Sequence, residues 1–398
     1  QRRAERQGND AVHRLMRRLR DVRAGRERGA VAVLIAILLG SGVLLTCGAL
    51  VVDVGGGYAE RAQLQNGADS AALAAAYACA VGAITCTPST DPSSTAGWFA
   101  DANANDGTSA VTAVCGHDAN GRLQACPAGP PVPGCAGTAP AAGSNYAEVH
   151  TRTRTRSGSG FLPPAFGRAV LGSRYPGMQE DACARAEWGP PVVSNDLGAL
   201  GITVSRSEWL GAVGEDCAES VTPQYGVAQT LNFHDPSGSG AATCGLSGSG
   251  GAGADSSGAF GLTQPSPTNG CLTQFTVNGQ SGATSYGVVT GRRPGTFGSC
   301  LSGQLKPGID GHRPVFLPIY DDRVPIANGS KGEYALWRIA AFVITGYCWG
   351  GQLYPSSLST SCPSSTDSIF GYFTQAVMPG GAIGSGKDAG AYVVQLVN

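Results

Sequence analysis

Charge is scarce in this 398-residue chain: only 14% of the residues are Asp, Glu, Lys or Arg, and the formal net charge is −1. That balance excludes a strongly basic nucleic-acid binder. No CxxC pair occurs, so the usual zinc-ribbon and thioredoxin-like signals are missing. Neither GxSxG nor GDSGG occurs, which removes the common serine-hydrolase signatures. His117, His150, His234 and His312 are scattered without a paired ligand spacing, and each reads as a surface or satisfied histidine. Aromatics make up 7% of the chain against 60 Gly and 24 Pro. That composition excludes a helical bundle and points to a loop-rich, β-containing fold. No internal repeat is visible, and long apolar runs are missing with a single exception.

The exception is AVAVLIAILLGSGVLLTCGALVV at 30–52, 23 residues without a charge. At about 1.5 Å per residue a helix of that length covers roughly 34 Å, against a hydrocarbon core of about 30 Å, so a transmembrane helix is expected here. Residues 1–28 hold ten Arg against Glu5, Asp10, Asp21 and Glu27. By the positive-inside rule that head stays in the cytoplasm and the C-terminal bulk lies outside. The expected location is therefore the cytoplasmic membrane, single-pass, with the amino terminus inside, the C-terminal domain extracellular and membrane lipid as a partner. Without the head, the chain's 27 basic and 28 acidic residues fall to 17 and 24, a formal balance of −7. Neither nucleic acid nor a small-molecule substrate is expected as a partner. LLTCG at 44–48 approaches a lipobox, but Thr46 is wrong for the residue before the cysteine and the apolar run continues to Val52. Cleavage near Ala76-Tyr77-Ala78 would need a shorter signal segment than this one.

Cysteine usage agrees with export. Of 13 Cys, Cys47 lies in the apolar run and twelve lie beyond it: Cys79, Cys86, Cys115, Cys126, Cys135, Cys183, Cys217, Cys244, Cys271, Cys300, Cys348 and Cys362. An even number in an exported segment reads as a disulfide framework. Neighbour pairs such as Cys79 with Cys86 or Cys348 with Cys362 suit it, and spacing alone does not fix the connectivity.

Past the apolar run, VDVGGGYAERAQLQNGADSAALAAAYACA is a strong helix former. Ala68, Ala72 and Ala76 fall on one face at i, i+4 and i+8, with Ala71 and Ala75 beside them. Such a small-residue face lets another helix approach closely, or lets this helix lie on its own ectodomain. A shorter helix is expected through TAGWFADANAN, stopped by Asp106-Gly107, with a strand at SAVTAVC. Further strands are expected at YAEVHTRTR, CARAEW, LGITVS, RPVFLPIYD, YALWRIAAFVITGYCW and AYVVQLV, separated by a Pro/Gly tract at 128–145 and a Gly/Ser tract at 236–258. Period two in HTRTRTRS puts Arg152, Arg154 and Arg156 on one face of a strand, read as a solvated face, with a polyanion site as the alternative.

Motifs with chemistry fail on inspection. Asp101, Asn103 and Asn105 have calcium-loop spacing, but Asp106 takes the glycine position and Thr112 the bidentate position. GAIGSGKD at 381–388 fits GxxxxGK, yet Asp388 replaces the magnesium-binding hydroxyl and too few residues follow for a helix. Asp91-Pro92-Ser93-Ser94-Thr95 approaches DxSxS without a preceding hydrophobic strand. No enzyme and no cofactor or metal site is expected.

RGAVAVLIAILL followed by GALVVDVGGGYAERAQLQNGADSAALAAA resembles the amino-terminal module of TadE/TadG-like proteins of the Flp (Tad) pilus-assembly system. The features that carry the resemblance over 28–76 are an Arg-Gly start, an uncharged run, Asp53, Tyr58, Arg61, the Leu64-Gln65 pair, Asp69 and an Ala-rich tail. YDDRVPIANGSKGEYALWRIAAFVITGY and GYFTQAVMPG resemble, more loosely, the ectodomain of actinobacterial TadG-related proteins. The resemblance implies a pilin-like helix with an exported domain, other Tad pilus-assembly or pilin-like proteins as partners, and possible entry into a pilus. It also makes Gly29-Ala30 a candidate processing bond, although Leu34 stands where such proteins usually carry a glutamate. The expected fold is α+β: a basic head at 1–28, a transmembrane helix at 29–54, an Ala-rich continuation helix at 55–82, and a disulfide-bonded, β-rich extracytoplasmic domain at 83–398. The expected function is a non-enzymatic, membrane-anchored pilus-assembly component, pseudopilin-like or scaffold. The alternative is a cell-surface adhesin on the same anchor.

Overall fold

The structure, a computed structural model, describes residues 29–38, 40, 43–83, 86–127, 135, 140, 143–168, 172–193, 199–232, 260–262, 271–273, 285–287, 295–321, 323, 333–358, 360–363, 367–384 and 387–397. The basic head, His234, Cys244, the Gly/Ser tract and most of the Pro/Gly tract lie outside the described residues.

Helix α1 (Val43–Ala80) is the organising element. It is followed by α2 (Thr95–Ala102) and, later, α3 (Arg206–Val213). The main strands are β1 (Ala110–His117), β2 (Asn145–Arg152), β3 (Asp181–Gly189), β4 (Ile202–Ser205), β5 (Ala228–Asn232) and β6 (Phe260–Leu262). After them come β7 (Pro314–Tyr320), β8 (Glu333–Trp349), β9 (Ser368–Thr374), β10 (Ala376–Val377) and β11 (Ala391–Val397).

Two sheets result. A five-stranded sheet runs β1-β2-β3-β11-β10, and an eight-stranded sheet is built on the path β5-β9-β8-β7-β4-β6, with Ser285–Gly287 and Gln352–Tyr354 paired to β8. The C-terminal half of α1 lies across the first sheet. Ala68, Ala72 and Ala76 are fully buried in one core with Val149, Ala184, Ala186 and Trp188 of β2 and β3. Alternation along the strands explains the fit: Ala147, Val149 and Thr151 face the helix, while Glu148 and His150 face away. A larger core belongs to the second sheet, around Trp209, Phe342, Ile344 and Phe373. A smaller cluster of Ala199, Tyr320, Leu336, Ile339, Met378 and Ala391 joins the two sheets.

The mixed α+β architecture stands, but the expected transmembrane helix does not. Among the described residues no helix is long and apolar enough to cross a membrane. As described from Val43, α1 holds ten uncharged residues before Asp53, fewer than the roughly 20 a span takes. Asp53, Glu60 and Arg61 then interrupt it. With that helix fall the single-pass topology, the cytoplasmic-membrane localisation, membrane lipid as a partner, and both functions that needed the anchor.

One local reading also changes. Strand β2 ends at Arg152, because the chain turns at residues 155–158 with a Gly158 amide to Thr155 carbonyl bond of 2.8 Å. Arg152 pairs with Asp181 at 2.6 Å and Arg156 donates to the Asp106 carbonyl, so the arginines form no continuous strand face. The Asp91 to Thr95 segment is a helix start: the Ser94 side chain caps α2 by accepting from the Gly97 amide at 3.1 Å.

The structure joins Cys79 to Cys86, Cys115 to Cys126, Cys135 to Cys183, Cys271 to Cys300 and Cys348 to Cys362. Cys217 is also disulfide-bonded. Cys47 is a free, exposed thiol on α1.

Candidate functional site

Helix α1 changes character along its length. From Leu64 onward its inner face is buried, and polar side chains lock it to the first sheet. Gln65 donates to the Cys183 carbonyl and to Asp69 Oδ1, both at 2.9 Å. Thr151 Oγ1 donates to the Leu64 carbonyl at 3.0 Å. At the far end, the Arg122 guanidinium donates to the Cys79 carbonyl at 2.7 Å, occupying a terminal helix acceptor.

The N-terminal half is uncovered. Leu50 and Val51 are 60% and 71% exposed, and in the helical segment 29–38 that precedes α1 Ile37 is 63% exposed and Val31, Val33 and Leu34 are exposed as well. Where the two halves meet, a loop touches the helix. Asp53 Oδ1 accepts from the backbone amides of Ala165 at 2.7 Å and Phe166 at 3.2 Å. Gly167 permits this approach, since a Cβ there would fall 2.8 Å from Asp53 Oδ2. Phe161 and Phe166 of the loop are exposed beside this junction.

The sequence-derived residues therefore divide. Leu64, Gln65, Asp69, Ala68, Ala72 and Ala76 come together between α1 and the first sheet, so the alanine face is occupied by the chain's own strands. Asp53 is drawn into the loop contact. Tyr58 and Arg61 are exposed at the boundary, and Gly29 and Ala30 are exposed in helical conformation well before it. The Asp53 loop was missed by sequence reasoning, because residues 165 and 166 carry no signal that pairs them with position 53.

Comparison with known proteins bears on this helix. Residues 29–78 match the Tad family of Flp pilus-assembly TadE/G-like proteins. The matched Tad segment runs from the exposed apolar residues before α1 through its exposed start to its sheet-bound half, and the earlier resemblance over 28–76 is borne out at the family level. The Tad match supports a non-enzymatic role. No curated protein and no solved structure matches the chain.

Proposed function

We propose that this chain works in the assembly of a Flp-type pilus as a non-enzymatic protein-docking component, with other Tad-family proteins as partners. The observation that carries the reading is where the family match falls: on one helix whose second half packs on its own sheet and whose first half is apolar and uncovered. A contiguous uncovered apolar surface marks an interaction site, and its burial contributes roughly 25 cal/mol per Å². In this reading Leu64, Gln65, Asp69 and the alanines fix the helix to the sheet. Asp53 sets its direction through the 161–167 loop, and Tyr58 and Arg61 border the partner contact.

The test is complementation of a deletion strain of the chain's own host. Leu50→Asp combined with Val51→Asp should abolish pili while protein abundance stays normal, and Ala62→Asp, also on an exposed helical position, should leave pili intact. Normal piliation with the double variant sinks the docking role. The mass of the complementing protein reads the proposed Gly29-Ala30 processing in the same experiment.

A further inference from the structure

The face of the first sheet turned away from α1 carries a side-chain cluster that the assembly reading does not use. Glu148 and His150 lie two apart on β2 and share that face. Across the ladder β3 sets Arg185 opposite Glu148 and Cys183 opposite His150. Cys135 comes in from outside the sheet and bonds to Cys183. One donor atom from each of Cys135, Glu148, His150 and Cys183 lies within 4.8 Å of the other three. Cys183 is fully buried and Glu148 nearly so. Glu148 Oε1 meets His150 Nε2 at 2.7 Å, and Glu148 Oε2 accepts from Arg185 at 2.7 and 3.0 Å.

We propose that these four residues form a zinc-class metal site whenever Cys135 and Cys183 are thiols, as the alternative to their disulfide. Two thiolates, an imidazole and a carboxylate are a complete tetrahedral donor set for zinc. At bond lengths of about 2.0–2.3 Å a tetrahedral ion holds its donors roughly 3.3–3.8 Å apart, so the donors already span the right volume once the two sulfurs part. The charges also balance: two thiolates, one carboxylate, a divalent cation and the adjacent Arg185 guanidinium sum to zero, which a buried site requires. The 2.7 Å contact between Glu148 and His150 already sets these two donors side by side, and a bound ion would take the place of the proton they share. A second group, Cys115, Cys126 and Glu148, offers three donors and no imidazole, so it is incomplete.

Entry to the metal state needs a dithiol reductant. The reductant gives two electrons and two protons to the Cys135–Cys183 bond and itself becomes a disulfide. The metal then displaces both thiol protons to solvent. Oxidation of the two thiolates by a disulfide of higher potential runs the sequence backwards and expels the ion.

The test avoids bulk reduction. In the oxidised full chain, Cys135→Ser in a Cys47→Ser background leaves one thiol, Cys183, beside His150 and Glu148, with water available as the fourth donor. Titration with Co²⁺ should give one ion per chain, with a thiolate-to-cobalt charge-transfer band and the visible bands of a tetrahedral site. Adding His150→Ala should weaken binding at least tenfold, whereas Cys115→Ser with Cys126→Ser should leave it unchanged. The proposal is overturned if the charge-transfer band is missing, or if the His150→Ala protein binds Co²⁺ equally well. A second titration, of the unsubstituted chain reduced anaerobically with a phosphine, should show a two-thiolate band that Cys135→Ser with Cys183→Ser removes, and persistence of that band in the double variant also overturns it.

Discussion

Glu219 has a left-handed backbone, φ 55°, without being glycine. That conformation costs a non-glycine residue about 1 kcal/mol, and the carboxylate explains what offsets it. Oε1 accepts from Arg206 and Oε2 from Arg338, each at 2.8 Å. Both guanidiniums lie over the Trp337 ring, at 5.1 and 3.8 Å. Burial alone would raise the Glu219 carboxyl, but the Arg206 hydrogen bond with the charge and hydrogen bond of Arg338 outweighs it and holds the group below its ordinary value of 4.5. A depressed folded-state pKa stabilises the fold above the unfolded value and ceases to do so as pH falls through the folded one. Glu219→Gln should therefore cost about 2 to 4 kcal/mol near neutrality, because it leaves two largely buried guanidiniums short of a counter-charge. That cost should shrink as pH drops below about 4.5. Neighbouring Glu215 has the opposite sign: burial raises its carboxyl, and its Oε2 has no hydrogen-bond partner among the described residues. Denaturant titrations of both proteins from pH 7 to pH 3, compared as differences, cancel the Glu215 contribution to first order. An unchanged midpoint at pH 7 would show that the bridge contributes nothing.

Helix α1 shows what one element's pattern can and cannot reveal. Alanine at i, i+4 and i+8 suggests a small-residue helical face, and in the structure α1 ends at Ala80. What covers that face was not legible, since small side chains admit a second helix or a sheet equally well. The choice rests on Ala147, Val149, Ala184 and Ala186, strand positions far away in sequence. The apolar run misled for a related reason: an uncharged stretch does not by itself fix that one continuous apolar helix forms from it, and α1 as described meets Asp53 after ten residues. Ala72 is fully buried against that sheet, so Ala72→Leu must push the added isopropyl carbons into filled space. It should cost about 1–3 kcal/mol, read as a lower Tm, whereas Ala62→Leu on an exposed turn should leave Tm nearly unchanged. Equal melting temperatures for the two variants would mean that the helix does not rest on the sheet.

At the scale of the whole molecule, the fold is two sheets with separate cores, joined by a small apolar cluster and stapled by disulfides. Strand positions were legible because Val, Ile, Thr and aromatic runs stand out between glycine-rich loops. Sheet order was not, since β11 pairs with β3 across some 200 residues and no local pattern announces it. The same limit hid the Cys135, Glu148, His150 and Cys183 group: the period-two pair on β2 was visible, but Cys183 reaches it only through the β2–β3 register. Register likewise decides which cysteines meet, and loop length then sets what each bond contributes. Cys79–Cys86 closes 7 residues and Cys271–Cys300 closes 29. Restricting the unfolded chain by these closures is worth about 2.4 and 3.6 kcal/mol in the chain-entropy account. All four sulfurs are buried to a similar degree, so the packing lost on replacement by serine is comparable. Replacing each pair by two serines should therefore destabilise the chain by unequal amounts, with the Cys271–Cys300 variant the weaker by about 1 kcal/mol. Non-reducing urea denaturation of the two variants beside the unsubstituted protein measures the difference directly. The reverse order would show that the bond at the end of α1 acts by holding native structure in place, and that restriction of the unfolded chain is the smaller effect.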